Sequence, residues 1–177
     1  MDARRIAELD SGSFDAAISR NTLMLLPEPE KILTEVWNVL RPGGKLAAIV
    51  FSTAENNPAA SLPRAAVRRY AGLPAVAPGE PGLFQLGDMG LLRALLDEAG
   101  FVQVAVEIAP VERPFPSVTA AVEFFCDANA DVSALLGAMN GAQRSSALDE
   151  ITDIMSRFVR NGEVVQPAEY LFCAGLR

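Results

Sequence analysis

Two apolar strand patterns separated by an amphipathic helix pattern, between residues 14 and 52, constrain the fold most strongly. FDAAIS (14–19) follows the turn signal DSGS and predicts a buried strand. Residues 29–40 carry a single apolar stripe, which predicts a helix, and RPGG (41–44) predicts its end. KLAAIVFS (45–52) is almost continuously apolar, as in parallel strands covered on both faces. The succession strand, helix, strand therefore predicts an α/β sheet.

The rest of the chain continues this alternation. Residues 53–87 predict a long loop with one short helix at about 63–71, and Asp88 predicts the cap of a helix that Gly100 closes. A strand pattern at 101–111 comes next. Three helices and a last strand are predicted after it, at 117–128, 131–139, 143–160 and 168–176. We therefore expect one domain with a mixed sheet of about four strands, a C-terminal antiparallel strand and added helices.

Composition excludes several classes of function. The 177 residues include 15 basic and 22 acidic side chains, and the net charge of −7 argues against a general nucleic-acid binder. There is no histidine, and Cys126 and Cys173 form no C-x-x-C motif, so neither a metal site nor a redox site is predicted. The chain shows neither a membrane-span pattern nor a signal-peptide pattern, so we expect a cytoplasmic location.

A set of short motifs carries a family resemblance. Phe14-Asp15 opens a strand, Leu26-Pro27 follows it, and LRPGGKL (40–46) leads from a helix into the next strand. LLRALLDEAGFVQVAVE (91–107) adds a later helix and strand. In these motifs the chain resembles the class I S-adenosylmethionine-dependent methyltransferases. The resemblance covers about 1–110, whereas the tail fits in topology only.

The resemblance implies a partial Rossmann-like methyltransferase fold. Residues 1–110 would form the late half of its core, with 53–87 as an insert or lid. Residues 111–160 would be a helical, substrate-facing region, and 161–177 would hold the closing strand. The implied function is methyl transfer from S-adenosylmethionine to a small molecule.

One family signal is missing from the sequence. The family binds its cofactor with a glycine-rich loop after the first strand, and no G-x-G-x-x-G occurs anywhere in this chain. By resemblance the chain starts just after the third strand. We therefore expect S-adenosylmethionine to bind in the full-length enzyme, and this chain to be truncated and inactive alone.

The resemblance also names candidate cofactor residues. Asp2 and Ala3 match a short acidic segment that touches the adenine ring, with Asp2 accepting from the exocyclic amine; the alternative is a frayed terminus. Ser19, Arg20 and Asn21 match the segment that lines the methionine part of the cofactor. An ordinary capped turn is the alternative there. No catalytic residue is assigned, because alignment of an already activated sulfonium can supply most of the catalysis.

Candidate substrate residues come from the same segment and from the insert. By resemblance, Thr22 lies at the substrate mouth. Arg64 and Arg68 share a helix face and would steer a carboxylate or phosphate substrate. The alternative is a solvated helix face.

The missing strands also bear on partners. In the family's sheet they pair with the strand at 14–19, so their absence exposes an apolar edge that recruits another chain. We expect a homodimer through 14–19, with twofold symmetry. Two alternatives remain open: a non-catalytic dimerising module derived from a methyltransferase, and a partner polypeptide that carries the glycine-rich half.

Overall fold

The computed structural model describes residues 3–77 and 80–177. Two 3-10 helices, at Ala3–Glu8 and Leu23–Leu25, flank the first strand. The described strands are β1 (Phe14–Arg20), β2 (Leu40–Phe51), β3 (Val102–Phe115), β4 (Val159–Arg160) and β5 (Glu163–Leu176). The described helices are α1 (Pro29–Val39), α2 (Pro58–Tyr70), α3 (Met89–Glu98), α4 (Val118–Asp127), α5 (Ala130–Ala138) and α6 (Gly141–Ser156).

The strands form one mixed sheet in the order β1-β2-β5-β3, with the two-residue β4 paired to β5. β1 runs parallel to β2. β5 runs antiparallel to β2, from the pair Lys45–Leu176 to the pair Phe51–Tyr170. The predicted α/β fold with a C-terminal antiparallel strand is therefore confirmed.

The chain divides into two compact units. The sheet unit comprises Met1–Thr53, Pro78–Ala109 and Glu169–Arg177, and the helical unit comprises Ala54–Ala77 and Pro110–Ala168. The predicted helical region 111–160 lies in the helical unit. No described helix is both long enough and apolar enough to cross a bilayer.

The sheet unit buries one face of its strands. Alternate residues of β2 and β5 point into this core because successive side chains of a strand face opposite sides. The buried strand residues are Leu46, Ala48, Val50, Leu171 and Cys173, and they pack with Leu33, Leu92 and Leu96 from the helices. On the opposite side, which we call the outer face, Ile18 is 84% exposed and Phe172 is 48% exposed.

The RPGG segment does more than end a helix. The helix ends at Val39 and strand pairing begins at Leu40, so β2 starts earlier than the predicted residue 45. The pairing with β1 jumps from Phe14–Leu40 to Ala16–Lys45, so residues 41–44 bulge out of the ladder. Gly43 has a φ of +79°, a conformation that glycine adopts without steric cost.

Two helix boundaries differ from the prediction. α2 begins at Pro58 rather than at 63, since Pro58 fits a first helical turn as well as Pro63 does. α6 ends at Ser156, before Asn161 and Gly162, which have φ values of +52° and +86°. An Asn-Gly pair in this conformation favours a two-residue hairpin, and it joins β4 to β5 here.

The helical unit has a core of its own. The apolar stripe predicted for the last helix is buried at Ala147, Ile151, Ile154 and Met155. The other buried members of this core come from α2, α4, α5 and the strands: Val67, Phe115, Ala121, Phe125, Val132, Leu136 and Val164.

Candidate functional site

The carboxyl end of β1 carries the segment predicted to line the cofactor. Because β1 and β2 are parallel, their carboxyl ends meet at one edge of the sheet, where ligands bind in open α/β folds. The backbone N–H of Asn21 donates a 2.9 Å hydrogen bond to the carbonyl oxygen of Ile49. Asn21 therefore lies beside the last residues of β2, at the carboxyl edge of the sheet.

Asn21 has two unusual features. Its φ of +52° is left-handed, a conformation in which asparagine is enriched among the non-glycine residues. Its side-chain oxygen Oδ1 is buried and accepts no hydrogen bond from the described residues. A buried acceptor without a donor costs about 1 to 3 kcal/mol. Asn21 Oδ1 is therefore a candidate contact for a ligand that carries a hydrogen-bond donor.

The neighbouring predicted residues do not all face one site. Ser19 is half-buried and pairs in register with Ala48 on the core side. Arg20 is exposed and lies in register with Ile49, on the outer face. Thr22 is exposed, and its hydroxyl donates a 3.1 Å hydrogen bond to the carbonyl oxygen of Arg20. Ser19 and Arg20 thus lie on opposite faces of the sheet. Among residues 19–22, Asn21 is the one whose side chain has a buried acceptor without a hydrogen bond from the described residues.

The predicted adenine contact lies at the start of the chain. Asp2 is outside the described residues, and Ala3 opens the 3-10 helix Ala3–Glu8. Ile6 of that helix packs against the core of the sheet unit. The roles predicted for Asp2 and Ala3 stay predictions.

An aromatic cluster at the carboxyl end of β2 was not predicted as a unit. Phe51 lies with its ring centroid 4.4 Å from that of Tyr170 and 6.1 Å from that of Phe84, the second pair being edge to face. These rings give the same edge of the sheet an apolar wall. The three residues are far apart in sequence, so only strand pairing and the loop before α3 bring them together.

The glycine before α3 is a second feature that the sequence did not reveal. A Cβ added at Gly87 would lie 2.6 Å from both the carbonyl carbon and the oxygen of Ser52. Ser52 itself is fixed by a 3.0 Å hydrogen bond from its N–H to the carbonyl oxygen of Glu169. Gly87 therefore lets the chain pass close to the end of β2.

The two arginines predicted to contact substrate lie in the helical unit, and both have internal partners. Arg64 is only 17% exposed; it forms an ion pair with Asp131 and donates a hydrogen bond to Asn129 Oδ1. Arg68 donates to the carbonyl oxygen of Pro74 through Nε at 2.9 Å and Nη2 at 2.7 Å. Arg64 thus ties α2 to the start of α5.

We expect the substitution Arg64→Met to lower the free energy of unfolding of the helical unit by about 2 kcal/mol. Methionine retains the buried stem but loses the hydrogen bonds of a charged donor, which contribute about 1.5 to 3 kcal/mol. Asp131 is 66% exposed and stays hydrated, which limits the loss. Urea unfolding followed by circular dichroism measures the change.

Arg69→Met is the matched control for this prediction. Arg69 lies on the same helix as Arg64 and pairs with Glu150 of α6, but the Arg69 side chain is 60% exposed. An exposed ion pair of this kind contributes about 0 to 1 kcal/mol. Equal losses of unfolding free energy in the two variants would contradict the conclusion that Arg64 stabilises the contact between α2 and α5.

An open groove of about 460 Å³ lies on the outer face of the sheet unit. Its lining is mainly apolar and comes from all four long strands: Ile18, Ser19, Arg20, Ala47, Ala48, Ile49, Ala105, Glu107, Phe172, Cys173 and Ala174. Binding pockets combine apolar walls with a few converging polar groups, and this groove is the bare surface of a sheet. Within the described ranges, no group of three acidic or cysteine residues is arranged to hold a metal ion.

Comparisons with known proteins agree with this fold. The model of the family described as "Methyltransferase domain" matches residues 1–48. A search of curated proteins found no match. Among solved structures, the candidate methyltransferase BH2331 from Bacillus halodurans is 17% identical, with a TM-score of 0.58 over 99% of this chain and 69% of that one.

Two further structures have similar folds. Phosphoethanolamine N-methyltransferase 2 of Haemonchus contortus, in complex with S-adenosyl-L-methionine, is 14% identical with a TM-score of 0.51. The alignment covers 99% of this chain but 36% of that enzyme. The YcgJ protein of Bacillus subtilis is 13% identical with a TM-score of 0.51, over 96% of this chain and 66% of that one. Residues 1–48 thus match a methyltransferase domain model, and the chain shares the fold of these solved structures.

Proposed function

We propose that this chain forms the late half of a methyltransferase domain that transfers a methyl group from S-adenosylmethionine to a small molecule. The observation that carries the proposal is Asn21, whose buried acceptor Oδ1 lacks a donor among the described residues at the carboxyl edge of the sheet. Asn21 also lies within the segment that the methyltransferase family model matches.

The described residues fit one end of the cofactor. The methionine part of S-adenosylmethionine carries an ammonium group, which is a donor of the kind that Asn21 Oδ1 lacks. The sequence contains no G-x-G-x-x-G, so the proposal assigns no residue of this chain to the nucleoside beyond the predicted Asp2 and Ala3. Residues 19–22 would therefore form one wall of a cofactor site.

The chain's own residues would act by positioning. When bound, the cofactor supplies a methyl group on a positively charged sulfur. Asn21 would orient the methionine end, and the apolar wall of Phe51, Phe84 and Tyr170 would help to exclude water from the edge of the sheet. Orientation of this kind can supply a large part of a rate enhancement without an acid or a base. The lack of histidine is therefore compatible with the reaction.

Calorimetric titration with S-adenosylhomocysteine tests the proposal directly. A dissociation constant in the micromolar range would support a cofactor contact made by this chain without a glycine-rich loop. Asn21→Gly should weaken binding about tenfold, which corresponds to ~1.4 kcal/mol. Glycine adopts the φ of +52° freely, so this variant removes the amide and keeps the backbone.

Asn161→Gly is the control for that experiment. Asn161 also has a φ of +52°, but it lies in the hairpin of the helical unit. Its substitution should leave the affinity unchanged. Equal affinities for Asn21→Gly and the unaltered chain would contradict the role of Asn21. Absence of heat from a folded, monodisperse sample would contradict binding by this chain.

A second candidate function is a non-catalytic dimerising module. The observation that favours it is the exposed apolar side of β1, where Ile18 is 84% exposed. Such a module would form a dimer and show no affinity for S-adenosylhomocysteine, so the same titration separates the two functions.

A further inference from the structure

The helical unit contains an arginine, Arg64 of α2, whose guanidinium group is largely buried. The Arg64 side chain is 17% exposed, whereas the side chains of the other arginines with a described ion pair are 60 to 62% exposed. Burying a charge is costly unless it is paired and hydrogen-bonded. The groups around Arg64 therefore show whether its charge and its donors are satisfied within the chain.

The described residues do not supply all the acceptors that Arg64 needs. A guanidinium group has five N–H donors in a fixed planar arrangement. Nη1 of Arg64 donates to the carboxylate of Asp131, and Nη2 donates to Oδ1 of Asn129. Nε is buried, and it donates to no acceptor among the described residues. Arg64 therefore has more donors than the described part of the helical unit satisfies.

The carboxylate of Asp131 is a partner that another anion can replace. The Asp131 side chain is 66% exposed, so water solvates the carboxylate well and the ion pair with Arg64 contributes little to its stability. Asp131 also lies in the first turn of α5, where the helix dipole stabilises an acidic side chain without any help from Arg64. Rotation of Asp131 into solvent would leave Nη1 of Arg64 available to an oxyanion.

The charges on α2 favour an anion at this place, although the chain as a whole carries a net charge of −7. Arg68 follows the buried arginine by four residues and lies on the same helix face. Its guanidinium group donates to the neutral carbonyl oxygen of Pro74, which leaves its charge without a carboxylate among the described residues. The third arginine, Arg69, is paired with Glu150. The described contacts of α2 thus leave one positive charge in excess.

We propose that Arg64 and Arg68 bind the carboxylate or phosphate group of a small molecule, which replaces Asp131 on Nη1 of Arg64. The planar fork of a guanidinium group matches the geometry of both oxyanions, and hydrogen bonds between charged partners are the stronger ones. Asp131 occupies this position in the absence of the ligand. The identity of the ligand as the methyl acceptor rests on the proposed function, whereas anion binding by the two arginines does not.

Calorimetric titration of the full chain with inorganic phosphate, at constant ionic strength and without cofactor, provides the first test. We expect saturable binding that Arg64→Met weakens about tenfold or more, because methionine keeps the buried stem and loses the charged donors. Arg68→Met should also weaken binding, through loss of the excess charge. Arg69→Met is the control and should leave the affinity unchanged, since Arg69 is already paired with Glu150. Absence of saturable binding, or equal affinities in all these variants, would overturn the proposal.

The variant Asp131→Asn tests the competition itself and does not depend on folding of the arginine variants. Asparagine keeps the size of the side chain and removes the charge that competes with the ligand. We expect phosphate to bind about fivefold more tightly, the factor that corresponds to loss of an exposed ion pair. Because Asp131 is 66% exposed, its substitution leaves the packing of the helical unit intact. An affinity for phosphate that is unchanged or lower in Asp131→Asn would overturn the proposal.

Two further titrations identify the ligand class and separate this inference from the proposed function. Tighter binding of acetate than of phosphate would indicate a carboxylate ligand, and the reverse would indicate a phosphate group; both results support the site. A chain that binds S-adenosylhomocysteine but neither oxyanion would overturn the anion site and leave the proposed function intact. A chain that binds phosphate through Arg64 but has no affinity for S-adenosylhomocysteine would contradict the proposed function alone.

Discussion

Replacing Gly87 by alanine should lower the free energy of unfolding by about 2 to 3 kcal/mol, the cost of forcing extra atoms into a packed site. The added Cβ would lie 2.6 Å from the carbonyl carbon and oxygen of Ser52 and 2.8 Å from the N of Thr53. These are backbone atoms at the end of β2, so no side-chain rotation relieves the contact. Urea unfolding of the purified variant, followed by circular dichroism, measures the loss.

Gly137→Ala is the matched control for this prediction. Gly137 is exposed in α5, and a Cβ there would meet no atom within 4 Å. Gly137 is the second-last residue of α5, where alanine is favoured over glycine by at most about 0.5 to 1 kcal/mol, so this variant should be no less stable than the unaltered chain. A Gly87→Ala variant as stable as the unaltered chain would show that the chain does not approach Ser52 so closely.

The second large effect is a loss of stability at alkaline pH through Cys173. Burial in the core of the sheet unit raises the pKa of the Cys173 thiol to about 11, above the roughly 8.5 of an exposed cysteine. The buried thiol therefore stabilises the folded state fully below about pH 8.5, and this contribution is lost as the pH rises towards 11. The loss amounts to at most about 3 kcal/mol, at 1.36 kcal/mol for each pKa unit.

Comparison with Cys173→Ala isolates this effect, because other groups titrate in the same range. The free energy of unfolding of the unaltered chain should fall more steeply between pH 8.5 and 11 than that of the variant. Cys126→Ala should retain the steep fall, since Cys126 is only half-buried and burial raises its pKa less. Parallel pH profiles for the unaltered chain and Cys173→Ala would contradict the prediction.

Elements with strong local signals were predictable from the sequence. β1, α1 and α3 lie where the apolar patterns and turn residues predicted them. The cap at Asp88 is confirmed by a 2.7 Å hydrogen bond from the N–H of Leu91 to its Oδ1. Such signals depend on atoms a few residues apart, so the sequence contains nearly all the necessary information.

Boundaries were less predictable because two local interpretations competed. Asn161-Gly162 suits the end of a helix and also a two-residue hairpin. The hairpin forms because Val159 pairs with Val164, and the last strand then runs on from Glu163. RPGG likewise suits a helix end, but Leu40 before it pairs with Phe14 of β1, so strand β2 begins at Leu40.

The sequence by itself determined the α/β alternation and placed residues 19–22 at the end of a strand. Only the tertiary structure decided what those residues and the predicted arginines contact. It places Asn21 beside Ile49, Gly87 against Ser52, and Arg64 next to Asp131. Each of these pairs is separated by 28 to 67 residues, a distance over which no helix or strand period acts. Such contacts depend on how the strands pair and how the helices pack, which is why the free acceptor of Asn21 and the ion pair between Arg64 and Asp131 had no local signal.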